Sequence, residues 1–282
     1  MQQPRGPAAG RARQGLRLRP SQAVAISLLL AAALVTSAGA APAAMPPTFA
    51  QLGAEATRSL LGLLAPGAHA WRLCTGASCG SSDSDWGADS LTYVLSLRER
   101  TAGTPSLVRA LAALGNDAPT YPPPCTRRSC SSWSDVPEWD AIALAREYES
   151  TRDPRFLQKA EAAFAFVQDS PVFAQGACPE IPYQQPYGGS NNLKTLETDG
   201  NAVKAGLLLY AATGRSSFLA SALQRYAAIR RFFLDGSLPL YTAYLFDDGG
   251  ACTQLPRRFF ASVNGDMIWN GVELFRDTGD RR

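Results

Sequence analysis

A helical hairpin that recurs along the chain constrains the fold more than any other feature. The clearest copy runs from Trp139 to Val167 as WDAIALAREYESTRDPRFLQKAEAAFAFV, and the next from Asn201 to Phe233 as NAVKAGLLLYAATGRSSFLASALQRYAAIRRFF. Aligned on the turn, Thr151 matches Thr213. Thr278 stands in the same place in DMIWNGVELFRDTGDRR, and Thr101 does so in a weaker first copy, WGADSLTYVLSLRERTAGTPSLVRALAAL. Self-similarity at intervals of about 50 to 65 residues marks a repeat architecture.

The turn chemistry supports this reading. Gly214 and Gly279 suit a left-handed helix C-cap. Asp153 and Pro154 suit the N-cap and first position of the next helix. The second helices are amphipathic, with Phe156, Leu157, Ala160, Phe164 and Val167 on one stripe and Phe218, Leu219, Ala222, Leu223 and Tyr226 on another. The first helices are apolar nearly all round, which requires burial on several sides. One buried and one amphipathic helix per repeat gives two concentric layers. The expected fold is therefore all-α, an (α/α)6 toroid of helical hairpins. Only about 3.5 hairpins are present, so an incomplete ring or a shortened version of a longer protein is expected. Long connections over 114–138, 169–200 and 234–262 carry Trp, Tyr, Asp and paired Cys, which favours ordered functional loops. One of them, LPLYTAYLFDD, reads as a short extended stretch.

Composition narrows the chemistry. The chain has 282 residues, 46% hydrophobic and 18% charged, with a net charge of +3, which excludes disorder. Its one histidine, His69, excludes a multi-histidine zinc site. There is no phosphate loop and no dinucleotide fingerprint, so no cofactor and no metal are expected. Arg5, Arg11, Arg13, Arg17 and Arg19 precede an apolar run, Gln22 to Val35, and Ala38-Gly39-Ala40 fits a cleavage site. Residues 1–40 thus read as a secretory signal peptide and 41–282 as the working domain. An uncleaved anchor is the alternative, although the run is short for a ~20-residue span. Removal of five arginines takes the charge from +3 to −2, so neither a nucleic-acid nor a membrane partner is expected. Secretion or periplasmic export is expected, as a monomer.

Six cysteines agree with export. Cys74 with Cys79 and Cys125 with Cys130 share a spacing and read as small disulfide loops, leaving Cys178 with Cys252. This is one of 15 connectivities, and a structural zinc site is the rival reading.

The stretches SDVPEWDAIALAREYESTRDPRFLQKA and ACPEIPYQQPYGGSNNLKTLETDGNAVKAGLLLYAATG resemble glycoside hydrolase family 76, secreted α-1,6-mannanases with an (α/α)6 fold. The resemblance covers roughly 86 to 282 and includes Lys194 and Asn201. It implies a catalytic pair of adjacent aspartates shortly before an inner helix. With Trp139 in register, Asp135 takes the place of the acid/base, and Ser134 stands where the resemblance implies the nucleophile. A retaining glycosidase needs two carboxyls, and Glu138, three residues after Asp135 and on one helix face with it, is the expected second. The competing reading is a capping box with Asp135 as N-cap and Glu138 closing it.

Other polar and aromatic residues gather near repeat starts. Trp86, Asp89, Trp139, Asp199, Asn201, Asp247 and Asp248 are expected to bind sugar at the mouth where inner helices converge, aromatic rings meeting apolar sugar faces and carboxylates the hydroxyls. Trp269 is expected in the core. Asp89 and Asp199 as helix caps, and Asp247-Asp248-Gly249 as a tight turn, are the structural alternatives. The expected activity is hydrolysis of an α-mannosidic polysaccharide or oligosaccharide by a carboxylate pair. The alternatives are a non-catalytic glycan-binding relative and a truncated inactive member.

Overall fold

The computed structural model describes residues 48–64, 71–72, 82–83, 86–122, 133–168, 175–184 and 192–280. The candidate leader, His69, Cys74, Cys79, Cys125 and Cys130 lie outside the described residues. The chain divides into two units, Met1–Gln51 and Leu52–Arg282, and all the hairpins belong to the second.

Eight helices are described: α1 (Phe49–Leu63), α2 (Trp86–Ala102), α3 (Pro105–Asp117), α4 (Val136–Thr151), α5 (Pro154–Gln168), α6 (Leu196–Thr213), α7 (Ser216–Phe232) and α8 (Ala261–Thr278). Short strands accompany them: β1 (Trp71–Arg72) with β2 (Ser82–Asp83), and a three-stranded antiparallel sheet of β3 (Leu193–Thr195), β4 (Tyr244–Asp247) and β5 (Cys252–Gln254) with β4 central. The extended stretch expected near LPLYTAYLFDD is β4. Helix α1 and the strand pair were not expected from sequence. No described helix is long and apolar enough to cross a membrane.

The four turn threonines share one local device. The hydroxyls of Thr151, Thr213 and Thr278 each donate to the carbonyl four residues back at 2.7 Å, and Thr101 does so at 3.4 Å. The first three also accept the N–H two residues on, from Asp153, Arg215 and Asp280. Gly214 and Gly279 take the left-handed conformation at φ 69° and 72°, as expected, and Arg152 does the same at φ 60°. Asp153 accepts from Arg155 N–H at 3.0 Å, capping α5 at Pro154. In the first copy the break comes later than Thr101: Thr104 caps α3, with Pro105 behind it.

Hairpins α2/α3, α4/α5 and α6/α7 are thus complete, and α8 begins a fourth. Helices α2, α4, α6 and α8 pack in succession as the inner layer, with α5 and α7 each against its own inner helix. One core joins α4, α5 and α6 through Ile142, Leu144, Phe156, Phe164 and Leu209; another joins α6, α7 and α8 through Val203, Ile229, Phe233 and Met267. The outer stripe of α5 is buried as expected at Phe156, Ala160, Phe164 and Val167. On α7, Ala222 is buried but Leu223 is exposed, because the stripe turns away from α6 there. The layers touch closely: a Cβ on Gly115 of α3 would come within 2.8 Å of the Phe156 ring.

Candidate active site

Burial along the inner helices identifies what faces the centre. In α4 every residue from Val136 to Glu147 is buried except Trp139, and from Lys194 of β3 through Leu209 of α6 every residue is buried except Glu197. Asp135 is also partly open. It continues the helix at φ −76°, ψ −25°, and its carbonyl accepts from Trp139 N–H at 2.9 Å. Asp135 and Trp139 therefore lie one turn apart on one face. Glu197 and Lys204, seven residues apart, share a face of α6.

These groups converge. Burial raises the pKa of the Glu197 carboxyl, the neighbouring Trp139 opposes this, and Asp266 of α8 raises it further. Lys204 pairs with Asp266 at 2.6 Å and lies 5.5 to 5.7 Å from the ring centroids of Tyr93, Trp139 and Trp269. Four inner helices thus place aromatic rings, carboxylates and a cation around one centre. Trp269, expected as core, contributes to both cores and to this ring box.

The N-termini of α4 and α6 are tied side by side. The Ser134 hydroxyl meets the Thr198 hydroxyl at 3.2 Å, and Thr198 meets Thr195, the N-cap of α6, at 3.0 Å. Ser134 also donates its N–H to the Gln184 carbonyl at 3.0 Å. Ser134 is fully enclosed and acts here as a spacer between two helix starts.

Glu138 points the other way. The expected capping box does not form: Asp135 makes no side-chain cap hydrogen bond, and among the described residues neither Glu138 oxygen has a hydrogen-bond partner. Glu138 is 0% exposed. Burial raises its pKa well above the ordinary value, the Asp199 charge adds to this, and Arg225 opposes it. Asp199, also fully enclosed, pairs with Arg225 of α7 at 3.2 Å, and burial pushes it up to about 7 against that guanidinium. Both carboxyls therefore sit between the layers, turned from the central face and closed to a sugar. Asn201 is likewise enclosed, with neither amide atom hydrogen-bonded among the described residues.

The other expected sugar contacts divide similarly. Asp89 is buried in the first turn of α2, and only the backbone of Trp86 is described. Asp247 accepts from the N–H groups of Ala177, Cys178 and Gly249 and pairs with the enclosed Lys194 at 3.1 Å, which holds its carboxyl down to about 2 although burial opposes this. Its partner groups consume its oxygens, so it anchors the 175–184 segment rather than a substrate. Asp248 accepts from Gly250 and Ala251 N–H in a tight turn. Cys178 and Cys252 form a disulfide, as the spacing suggested, which removes the thiolates a metal would need beside Asp247. Glu197 is the central-face carboxyl that sequence reasoning missed. Its signal was available as the one acidic position of α6 seven residues before Lys204, on the same helix face.

No family model matches the chain and no curated protein matches it. Solved structures do. The chain is similar to an inactive variant of the α-1,6-mannanase of Salegentibacter sp. HEL1_6, altered at two adjacent aspartates and bound to α-1,6-mannotetraose, with TM-score 0.65 and 16% identity over 83% of this chain and 66% of that one. It is similar to the family 76 mannosidase of Bacteroides thetaiotaomicron VPI-5482 at TM-score 0.63 and 16% identity, covering 81% and 66%. A sugar epimerase from a ruminal bacterium follows at TM-score 0.53 and 10% identity, covering 70% and 55%. The chain spans just under two thirds of the length of the mannanases it matches. Its fold is that of the family 76 hairpin toroids, and the epimerase shows that this fold carries more than one reaction.

Proposed function

We propose that the chain is an exported glycoside hydrolase acting on α-mannosidic chains of the α-1,6-mannan kind. The observation that carries this is the central face: Trp139 of α4, Glu197 of α6 and Trp269 of α8 gather around Lys204 and Asp266, with Asp135 one turn before Trp139, on a fold shared with a mannanase that binds mannotetraose. Aromatic rings beside carboxyls suit sugars, whose ring faces are apolar and whose edges carry hydroxyls. In this reading Asp135 protonates the leaving glycosidic oxygen. Glu138 and Asp199 act behind it, holding the α4 and α6 starts rather than touching the sugar. The test is release of reducing ends from α-1,6-mannan by the whole chain, with Asp135→Asn expected to remove it while the melting temperature holds.

One observation favours a second reading. Ser134, in the place implied for the first aspartate, is enclosed and locked by Thr198 and Gln184. A relative that binds mannan without cutting it would look the same there. Binding of mannotetraose by the wild type with no reducing ends released would select that reading.

A further inference from the structure

Among the described residues, exposed large apolar side chains concentrate where α7, α8 and the 234–241 turn meet: Leu223, Leu240, Ile268, Val272 and Phe275 line one groove there. The repeat shows what such a place is shaped for. Gly206 of α6 stands seven residues before its turn threonine, and a Cβ on it would lie 3.6 Å from the Phe164 ring of α5 and 3.3 Å from the Cβ of Ala222 in α7. Gly271 of α8 stands seven residues before Thr278. Tyr226, which matches Phe164 in the repeat, lies 2.9 Å from the same point on Gly271, and no described helix fills the second side. The two ends of the groove carry opposite charges. Leu234 bridges Tyr241, and Tyr241 exchanges two hydrogen bonds with Asn264 near the start of α8. Arg230, one turn before Leu234, therefore lies toward that start. Asp280 follows the cap Gly279 at the far end, and both charged residues line the groove.

We propose that this face is the interface of a symmetric homodimer, filled by α8 of a second copy running antiparallel. The stripe from Ile268 to Phe275 is centred between Gly271 and Val272. A twofold axis through that point sets Ile268 of one copy against Phe275 of the other and brings Val272 close to its own counterpart. The same axis carries Asp280 to the other copy's Asn264, beside which the other copy's Arg230 lies. One operation thus meets apolar with apolar at the centre and acid with base at both ends. A parallel pairing would set Arg230 on Arg230 and Asp280 on Asp280. An apolar centre with a charged rim is the composition of a specific interface. The dimer departs from the monomer expected from sequence and is independent of the hydrolase reading.

The test is sedimentation equilibrium of the whole chain over a rising concentration series, in which the mass is expected to approach twice that of one chain. A single-chain mass up to about 0.1 mM overturns the inference, and so does growth beyond two copies, since a self-complementary face closes at two. Val272→Cys under mild oxidation is expected to give a disulfide-linked dimer, which the parent chain does not, as no described cysteine is free. Ile268→Cys mixed with Phe275→Cys is expected to cross-link as the mixed pair. Preferential linkage of Ile268→Cys to itself means a parallel arrangement and overturns the proposed axis. Arg230→Asp is expected to weaken association about 2- to 30-fold at low salt, and Asp280→Arg added to it to restore the parent affinity. A double variant no tighter than Arg230→Asp alone overturns the pairing of the two ends.

Discussion

Buried acids with opposite environments give the chain a stability that depends on pH in both directions. Asp247 is held down to about 2 by backbone N–H groups and Lys194. A carboxyl with a depressed folded pKa stabilises fully above its unfolded value and loses this as pH falls from about 4 to 2. Asp199 is pushed up to about 7 and Glu138 is raised as well, both chiefly by burial. There the sign reverses: the native state keeps a proton that the unfolded chain releases, so stability falls as pH rises from about 4 to 7. Thermal unfolding across pH 2 to 9 is expected to peak near pH 4, where the gain from Asp247 is nearly complete and the loss from Asp199 and Glu138 is only beginning. Glu138→Gln, which removes the cost of ionising an enclosed carboxyl, is expected to add about 1–2 kcal/mol at pH 8, roughly 3–6 °C, and to flatten the alkaline limb. An unchanged limb would show that burial does not hold the Glu138 carboxyl protonated. Asp247→Asn strips a partner from an enclosed lysine and is expected to cost about 3–5 kcal/mol in urea unfolding.

The hairpins were legible because their signals are local. A threonine that bonds back four residues and forward two, followed by a residue that tolerates positive φ, is written in adjacent letters, and the 3.6-residue stripe of α5 needs no knowledge of the rest of the chain. Thr213→Val removes both of that hydroxyl's bonds and is expected to cost about 1 kcal/mol. Gly214→Ala adds a left-handed penalty of about 1–2 kcal/mol at φ 69°. The two losses, read by denaturant midpoints, are expected to fall short of additive, since both act on one turn. The sheet was less legible. Strand β3 pairs with β4 across some fifty residues, and Lys194 gathers the carbonyls of Gln175, Cys178 and Ile181 only once that sheet exists. The site shows the same divide. Asp135 was singled out by the family resemblance, with Trp139 setting the register. The inward turn of Glu197, and the outward turn of Glu138 and Asp199, depend on how α4 and α6 are rotated against α7, which neither segment encodes alone.

At the scale of the molecule, the described inner helices differ in what covers them. Helices α4 and α6 carry α5 and α7 on their outward faces, set against them by small residues such as Gly206 over Ala222. On α8 the corresponding face is open among the described residues: Ile268 is 71% exposed, and Val272 and Phe275 are also exposed. With Leu223, Tyr226 and Leu240 they line a groove of about 720 Å³. Apolar strips of this extent drive association when nothing covers them. The disulfide between Cys178 and Cys252, bridging a separation of 74 residues, holds the sheet that borders α6 but does not cover this groove. The two features should therefore respond to different treatments. Reduction is expected to lower the denaturant midpoint by an amount equivalent to about 2–4 kcal/mol without changing molecular mass in light scattering. Replacement of Ile268 and Phe275 by lysine and glutamate is expected to do the reverse, lowering the scattered mass at high protein concentration while leaving the midpoint within about 1 kcal/mol, because both side chains already face water. Neither change touches Asp135, Trp139 or Glu197, so glycan binding is expected to survive both. Loss of binding in the double variant would mean that the groove and the central face are coupled through α8, by way of Asp266 and Trp269.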